Sequence, residues 1–194
     1  METAMIDGKK VEDQQRRPKT QRGFTLLEVV ISIFILMVGL ISLLGVMSFA
    51  MVSTQTARQD MIARQLAQEA LEAVVTARET ADITWDQIQN VGPGNGIFVT
   101  GLQPIRQAGA DGIIGTADDS TAPMETVQEP GADGIVGTAD DKPPLPLTNF
   151  QRSIVIGPTA SGDLRNITIT IQYLTSQGAA PRTYVLSGMI SQYR

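Results

Sequence analysis

The chain has 194 residues and a hydrophobic fraction of 42%, enough for one ordinary domain plus an extension and too apolar for wholesale disorder. It contains no histidine and no cysteine, which removes imidazole and thiolate metal ligands, disulfides, and triads or dyads built on these residues. The 15 basic and 20 acidic residues give a net charge of -5, which argues against a nucleic-acid partner. Composition therefore points away from most classes of enzyme.

The first 23 residues form a polar leader with six basic and four acidic side chains. The four charges nearest to the following apolar run are all positive: Arg16, Arg17, Lys19 and Arg22. Basic flanks of a membrane segment remain on the cytoplasmic side. The sequence therefore predicts a leader in the cytoplasm and an exported C-terminal part.

An uncharged stretch of 29 residues extends from Val29 to Ala57, and most of it up to Val52 is apolar. About 20 helical residues span a bilayer core, whereas a secretory signal peptide has an apolar region of only about 7–15 residues. The stretch predicts a transmembrane helix rather than an ordinary cleaved signal peptide. Glu28 lies at its edge, where a carboxylate is costly unless it is neutral or paired. It either marks the headgroup boundary or requires a positive partner.

The segment from Arg22 to Glu28, RGFTLLE, followed by the apolar run, resembles the processing signature of type IV prepilins. The pseudopilins of type II secretion and competence systems share this signature. In these families a membrane aspartyl peptidase cuts after the glycine and methylates the new amino terminus. The resemblance implies cleavage between Gly23 and Phe24, N-methylation of Phe24, and assembly through Phe24, Thr25 and Glu28. In the filament, Glu28 of one subunit would neutralise the terminal amine of its neighbour.

The stretch ILMVGLISLLG, from Ile35 to Gly45, is similar to PilV-like minor pilins. Gly45 stands where major pilins often carry a helix-softening proline, although two glycines are also tolerated in membrane helices. The resemblance implies a non-catalytic minor pilin of a type IV pilus-type filament. The alternatives are a pseudopilin of a secretion or competence system and, more remotely, a membrane-anchored enzyme that uses carboxylates or a metal.

The same resemblance implies a location and a set of partners. The chain would reside in the bacterial inner membrane as a single-pass protein and then in a filament in the periplasm or at the cell surface. Its partners would be the prepilin peptidase, other pilin or pseudopilin subunits, the inner-membrane assembly machinery and, before assembly, membrane lipid.

The region after Val52 predicts the second half of one long helix, from Phe24 to about Thr80. Apolar residues recur there at helical spacing, as at Leu66, Ala70 and Val74. The segment TWDQ, from Thr84 to Gln87, fits a capping box that opens a short helix to about Gln89, with Trp85 as a packing anchor. A short strand is predicted at Ile97–Thr100.

Three strands are predicted near the C-terminus, at Phe150–Ile156, Leu164–Leu174 and Thr183–Ser191, because apolar and polar residues alternate there. Turns at residues 161–163 and 176–178 would separate them. The predicted fold class is α+β and pilin-like, with a long N-terminal helix packed on a small antiparallel sheet whose other face is wet. The predicted segments are the leader 1–23, the membrane and assembly helix 24–52, its amphipathic half 53–80, a short helix and connecting strand 81–102, an acidic loop insertion 103–149, and the sheet 150–194.

A duplicated acidic segment lies in this insertion. Gly109–Asp119 recurs as Gly131–Asp141 with ten of eleven positions identical. Ile113 and Ile135 are expected to anchor each copy in the domain. Hard cations such as calcium prefer several oxygen ligands, so the pattern indicates calcium as the one cofactor to consider, with none required. The alternative is a pair of solvated loops whose aspartates cap turns. The candidate ligands are Asp111, Asp118 and Asp119 in the first copy and Asp133, Asp140 and Asp141 in the second.

Overall fold

The computed structural model of the chain describes residues 23–160, 162–175 and 180–193. The predicted leader, apart from Gly23, lies outside the described residues, as do Ser161 and the predicted turn 176–178. The chain divides into two compact units, Met1–Met47 and Ser48–Arg194.

One α-helix, α1, extends over Leu26–Glu79 and confirms the single long helix predicted from Phe24 to Thr80. It ends where Ala81 adopts a positive φ of 66°. The backbone N–H of Asp82 then donates to the carbonyl of Ala77 at 3.0 Å, which satisfies one of the last free carbonyls of the helix.

The C-terminal unit contains an antiparallel sheet of four strands in the order β1-β4-β5-β6. The three long strands are consecutive neighbours in the chain, which confirms the predicted meander. A separate two-stranded hairpin consists of β2 and β3. The strands are β1 Gln103–Pro104, β2 Thr126–Val127, β3 Leu145–Pro146, β4 Phe150–Pro158, β5 Leu164–Tyr173 and β6 Arg182–Ser191.

The core forms between the second half of α1 and one face of this sheet. Alternate residues of β5, namely Ile167, Ile169 and Ile171, are fully buried, as the alternating pattern predicts. The facing stripe of α1 consists mostly of alanine, and small side chains let a helix lie close to a sheet. The buried residues of α1 are Ala63, Leu66, Ala67, Ala70, Val74 and Ala77.

Two local predictions between the helix and the sheet need correction. The short helix is a single 3-10 turn, Trp85–Gln87, which ends before Gln89. The backbone N–H of Thr84 donates to Gln87 Oε1 at 2.8 Å, as a capping-box pattern predicts. The strand predicted at Ile97–Thr100 is wrong, because only Phe98 forms an isolated bridge, with Asn90. The partners of this segment are loop residues rather than a neighbouring strand.

The insertion at residues 103–149 is more ordered than a plain loop. It contains the three two-residue strands β1, β2 and β3 and a 3-10 turn at Ala117–Thr121. Trp85 packs against the core, as expected, and the Arg165 guanidinium lies 4.3 Å from the centroid of its ring.

Asn90 completes the edge of β4 beyond the short β1. Its side-chain N–H donates to the carbonyl of Ile154 at 2.7 Å, and the N–H of Ile156 donates to its Oδ1 at 2.7 Å. A side-chain amide thus makes the two bonds that a neighbouring strand would make.

Replacing Asn90 with alanine should destabilise the domain by about 1–3 kcal/mol, because it leaves two partly buried backbone groups of β4 without partners. Thermal unfolding of the full chain in detergent micelles measures the effect. Asn149→Ala is the matched control, since it removes one exposed side-chain bond to Leu174 and should change stability by less than about 0.5 kcal/mol. Equal losses in the two variants would contradict this role of Asn90.

Candidate functional site

The predicted processing segment leads directly into α1. The N–H of Glu28 donates to Thr25 Oγ1 at 3.2 Å, and the N–H of Val29 donates to the Thr25 carbonyl at 3.2 Å. Thr25 is therefore the N-cap of α1, and Glu28 lies in the first turn, where the positive end of the helix dipole favours a carboxylate. A cut before Phe24 would place the new ammonium at the same end of the helix as Glu28.

The residues on both sides of the predicted cut are accessible. Gly23 is exposed, and Phe24 is 82% exposed. A Cβ atom built on Gly23 would meet nothing within 4 Å. The fold therefore does not require glycine at this position, and any requirement for glycine must come from a molecule that acts on the segment.

The apolar half of α1 presents its side chains outward, since every residue from Leu26 to Met51 is exposed. By length and composition α1 is able to cross a membrane. Two of its hydroxyl groups donate to carbonyls one turn earlier, Ser32 Oγ to Glu28 at 2.7 Å and Ser42 Oγ to Val38 at 2.8 Å. This surface needs lipid or other apolar helices to cover it.

The duplicated segments, which we name loop 1 (Gly109–Asp119) and loop 2 (Gly131–Asp141), share several hydrogen bonds and their glycine conformations, although only loop 1 ends in a 3-10 turn. The penultimate residue of each loop is an aspartate that accepts a hydrogen bond from a threonine hydroxyl. Asp118 accepts from Thr116 at 2.5 Å, and Asp140 accepts from Thr138 at 2.7 Å. The last aspartate accepts the N–H of the third glycine at 2.6 Å in both loops. The second and third glycines have positive φ angles: 72° and 94° in loop 1 (Gly112, Gly115) and 73° and 97° in loop 2 (Gly134, Gly137).

The two loops differ in what they touch. In loop 1, Ile113 and Ile114 are buried, with 6% and 8% of their surface exposed. In loop 2, Ile135 and Val136 are 61% and 56% exposed. The prediction that Ile135 anchors loop 2 is therefore wrong. Loop 1 docks against the domain, with the N–H of Val99 donating to the Gly115 carbonyl at 2.8 Å, while the ends of loop 2 continue into the β2–β3 hairpin.

The predicted metal ligands of loop 1 converge. Carboxylate oxygens of Asp111, Asp118 and Asp119 lie within 4.8 Å of one another, and no second acidic group of this kind occurs in the described ranges. The hydroxyl of Thr116 and the N–H of Asp111 hold the pKa of Asp118 below its usual value, whereas burial raises the pKa of Asp119. In loop 2 the Thr138 hydroxyl and the N–H of Asp133 likewise lower the pKa of Asp140. Protein N–H and O–H groups thus bind carboxylate oxygens in both loops. The loops differ at the last aspartate: Asp119 Oδ1 accepts the Gly109 N–H at 2.8 Å, whereas the buried Oδ1 of Asp141 has no hydrogen-bond partner among the described residues.

A charged cluster that includes Asp119 of loop 1 was not predicted from the sequence. Arg152 of β4 is only 5% exposed, and its electrostatic partners are the carboxyl groups of Glu125, Glu69 and Asp119. Burial, together with the charge of Glu69, raises the pKa of Glu125 to about 7, although Arg152 opposes the shift. The signal was present in the sequence, because Arg152 has the same strand parity as the buried Phe150 and Ile154. Its carboxylate partners lie far away in the chain.

The raised pKa of Glu125 predicts a loss of stability with rising pH. The unfolded chain loses this proton near the ordinary value of 4.5 and the folded chain near 7, so the folded state binds more protons between these values. The stabilising contribution is fully present below 4.5 and lost as pH rises through about 7. Unfolding measured across this range should show a slope that Glu125→Gln removes. Glu72→Gln, on the exposed side of α1, should retain it.

A family model that describes the prokaryotic N-terminal methylation motif matches residues 18–44. No curated protein and no solved structure matches the chain. The matched residues cover the candidate cut at Gly23–Phe24, the cap Thr25, Glu28 and the first part of the exposed apolar helix. A motif of this kind implies processing by a prepilin peptidase and assembly with other pilins. Motif and exposed helix together support assignment of the chain as a type IV pilin-like or pseudopilin precursor.

Proposed function

We propose that this chain is a non-catalytic minor pilin of a type IV pilus-type filament, of the PilV-like kind. The observation that carries the proposal is the methylation motif at residues 18–44, which continues without a break into the exposed apolar half of α1. In this role the apolar helix first lies in the inner membrane and then packs among the helices of other subunits. The C-terminal unit is the part displayed on the filament.

Glu28 gives the assembly step its physical basis. A carboxylate among apolar helices carries a large desolvation penalty unless it is paired with a positive charge. After cleavage, the amine of Phe24 on a neighbouring subunit supplies that charge, while Thr25 caps the helix so that Glu28 stays in its first turn. Pairing between subunits thus offsets a cost that each subunit bears alone.

The test is the intact mass of the chain, with sequencing of its N-terminal peptide, after expression with and without a prepilin peptidase. The proposal expects a product that begins at N-methyl-Phe24 only when the peptidase is present. An uncut chain, or a cut near Ala50, would contradict it. A pseudopilin would give the same product, so deletion of the gene then separates the two functions: loss of pili supports the minor pilin, and loss of protein secretion or of DNA uptake supports the pseudopilin.

We also propose that the aspartates of loop 1 and loop 2 bind calcium. The convergence of Asp111, Asp118 and Asp119 supports this for loop 1, and the equivalent residues of loop 2 are Asp133, Asp140 and Asp141. Hard oxygen donors suit calcium, and a cation would reduce the repulsion among the carboxylates.

Excess calcium should raise the melting temperature of the full chain more than magnesium does, because Mg²⁺ dehydrates reluctantly and demands stricter geometry. Asp111→Asn should reduce the calcium effect. This variant removes a charge but keeps an Oδ1 acceptor for the Ile113 N–H, a bond of 2.8 Å in the wild-type chain. A melting temperature that calcium leaves unchanged would refute the proposal.

A further inference from the structure

Loop 2 has an exposed apolar tip, whereas the equivalent residues of loop 1 are buried. The two loops share ten of eleven residues, several internal hydrogen bonds and their glycine conformations, so loop 1 shows how such a segment packs against a protein surface. Loop 1 buries its two apolar residues, whereas Ile135 and Val136 of loop 2 are more than half exposed. Burying two aliphatic side chains of this size is worth about 1.5–3 kcal/mol each. The exposed tip of loop 2 is therefore an apolar surface that its own chain does not cover.

The base of loop 2 is held firmly, so docking would require little further ordering. The flanking β2–β3 hairpin closes the loop, and Gln128 Nε2 donates to the Lys142 carbonyl at 2.6 Å. Glu129 joins the loop to its surroundings through ion pairs with Lys142, at 3.0 Å, and with Arg58 of α1.

A recess of about 370 Å³ lies beside loop 1 on the same unit of the chain. Its apolar walls include Val99, Pro104 and Ile154. Its basic groups are Arg106 and the buried Arg152, whose Nη1 has no hydrogen-bond partner among the described residues. Asp119 is the one acidic group in its lining, and Arg152 also faces the carboxyl groups of Glu125 and Glu69, so Arg106 is the arginine of the lining that can attract an acidic partner.

The tip and the recess are complementary in size and charge. The recess has room for two aliphatic side chains. Loop 2 carries three carboxylates and no basic residue, which suits Arg106 of the recess. A contact between two loop 2 tips would instead bring six carboxylates together and is disfavoured.

We propose that loop 2 of one copy inserts Ile135 and Val136 into the recess beside loop 1 of a second copy. The tip and the recess are different surfaces of one chain, so the contact is head-to-tail, the kind of contact that builds an open filament when its rotation does not close into a ring. The inference deepens the proposed filament function by naming a contact between C-terminal units.

Engineered disulfides test this contact cleanly, because the chain has no cysteine of its own. Full chain carrying Val136→Cys at the tip is mixed in detergent micelles with full chain carrying Ser120→Cys, an exposed residue of the recess lining. Under mild oxidation the mixture should form disulfide dimers, whereas each variant alone should not. The double variant should form a ladder of higher oligomers. The control for disulfides formed by random collision uses Val155→Cys in place of Val136→Cys. Val155 lies on the outer face of β4 and is similarly exposed.

Adding Ile135→Asp to the Val136→Cys chain should lower the cross-linking rate about tenfold or more, since it places a fourth carboxylate in the apolar tip. Ile135 is exposed, so the substitution should leave the melting temperature unchanged. The proposal is overturned if Val136→Cys alone dimerises as fast as the mixture, if the disulfide of the double variant closes within one chain, or if the yield equals that of the Val155 control. Cleavage at Gly23 is scored separately, so failure of the filament function and failure of this contact are distinguishable.

Discussion

Replacing Gly23 with valine should leave the chain uncut in the presence of a prepilin peptidase, so that all of the protein keeps its leader. A branched side chain next to the scissile bond would block entry of an extended backbone into a narrow protease site, whereas glycine has no Cβ to obstruct it. A loss of cleavage would not be due to a steric clash within the folded chain, because a Cβ at this position meets nothing within 4 Å. Intact mass spectrometry separates the cut and uncut forms directly.

The matched control is Gly39→Val, which places the same side chain within α1. A Cβ at Gly39 also meets nothing within 4 Å, so this variant should be cut like the wild-type chain. Cleavage of the Gly23 variant at the wild-type rate would contradict the assigned cut site. Loss of cleavage in both variants would indicate a general defect of membrane insertion.

The second large effect concerns Gly115 of loop 1 and Gly137, its equivalent in loop 2. Both have a positive φ, so alanine at either position should cost about 1–2 kcal/mol for the left-handed backbone. A Cβ at Gly115 would also lie 2.5 Å from Cδ1 of Ile154, a buried core residue, whereas a Cβ at Gly137 meets nothing within 4 Å. Gly115→Ala should therefore lose about 1–3 kcal/mol more, the usual cost of overpacking.

Unfolding of the full chain in detergent micelles measures both variants in one experiment. Because the backbone cost is common to the two positions, their difference isolates the docking of loop 1 against β4. Equal destabilisation would mean that loop 1 does not pack on Ile154 in solution. A larger loss at Gly137 would mean that loop 2 is the docked copy.

Local patterns predicted much of this fold. The apolar run and the helically spaced apolar stripe near Leu66 predicted α1, and alternation around Ile169 predicted β5, because helix and strand periodicities reflect which side chains face a core. The short strand at Ile97–Thr100 failed because an apolar tetrapeptide does not reveal its hydrogen-bond partners. The role of Asn90 as a substitute strand was equally hidden, since its partners lie 64 and 66 residues away.

The candidate sites also divide into features that local sequence patterns predicted and features that only the folded chain creates. The methylation motif and Glu28 were visible in the sequence because the motif is a short linear segment. The duplicated loops were visible as well, and their shared conformation follows from shared glycines and aspartates. Arg152 and Glu125 were missed, because a buried ion cluster forms from residues that only the folded chain brings together.

By itself the sequence determined the apolar helix, the methylation motif, the strand alternation and the duplication of the loops, since all of these can be recognised from short local patterns. The tertiary structure alone decided that loop 1 is docked while loop 2 is presented to solvent. Ten of eleven residues are identical in the two loops, so no local pattern distinguishes them. The difference arises from what surrounds each loop: loop 1 meets Phe98 and Ile154, whereas loop 2 extends from a hairpin into open space.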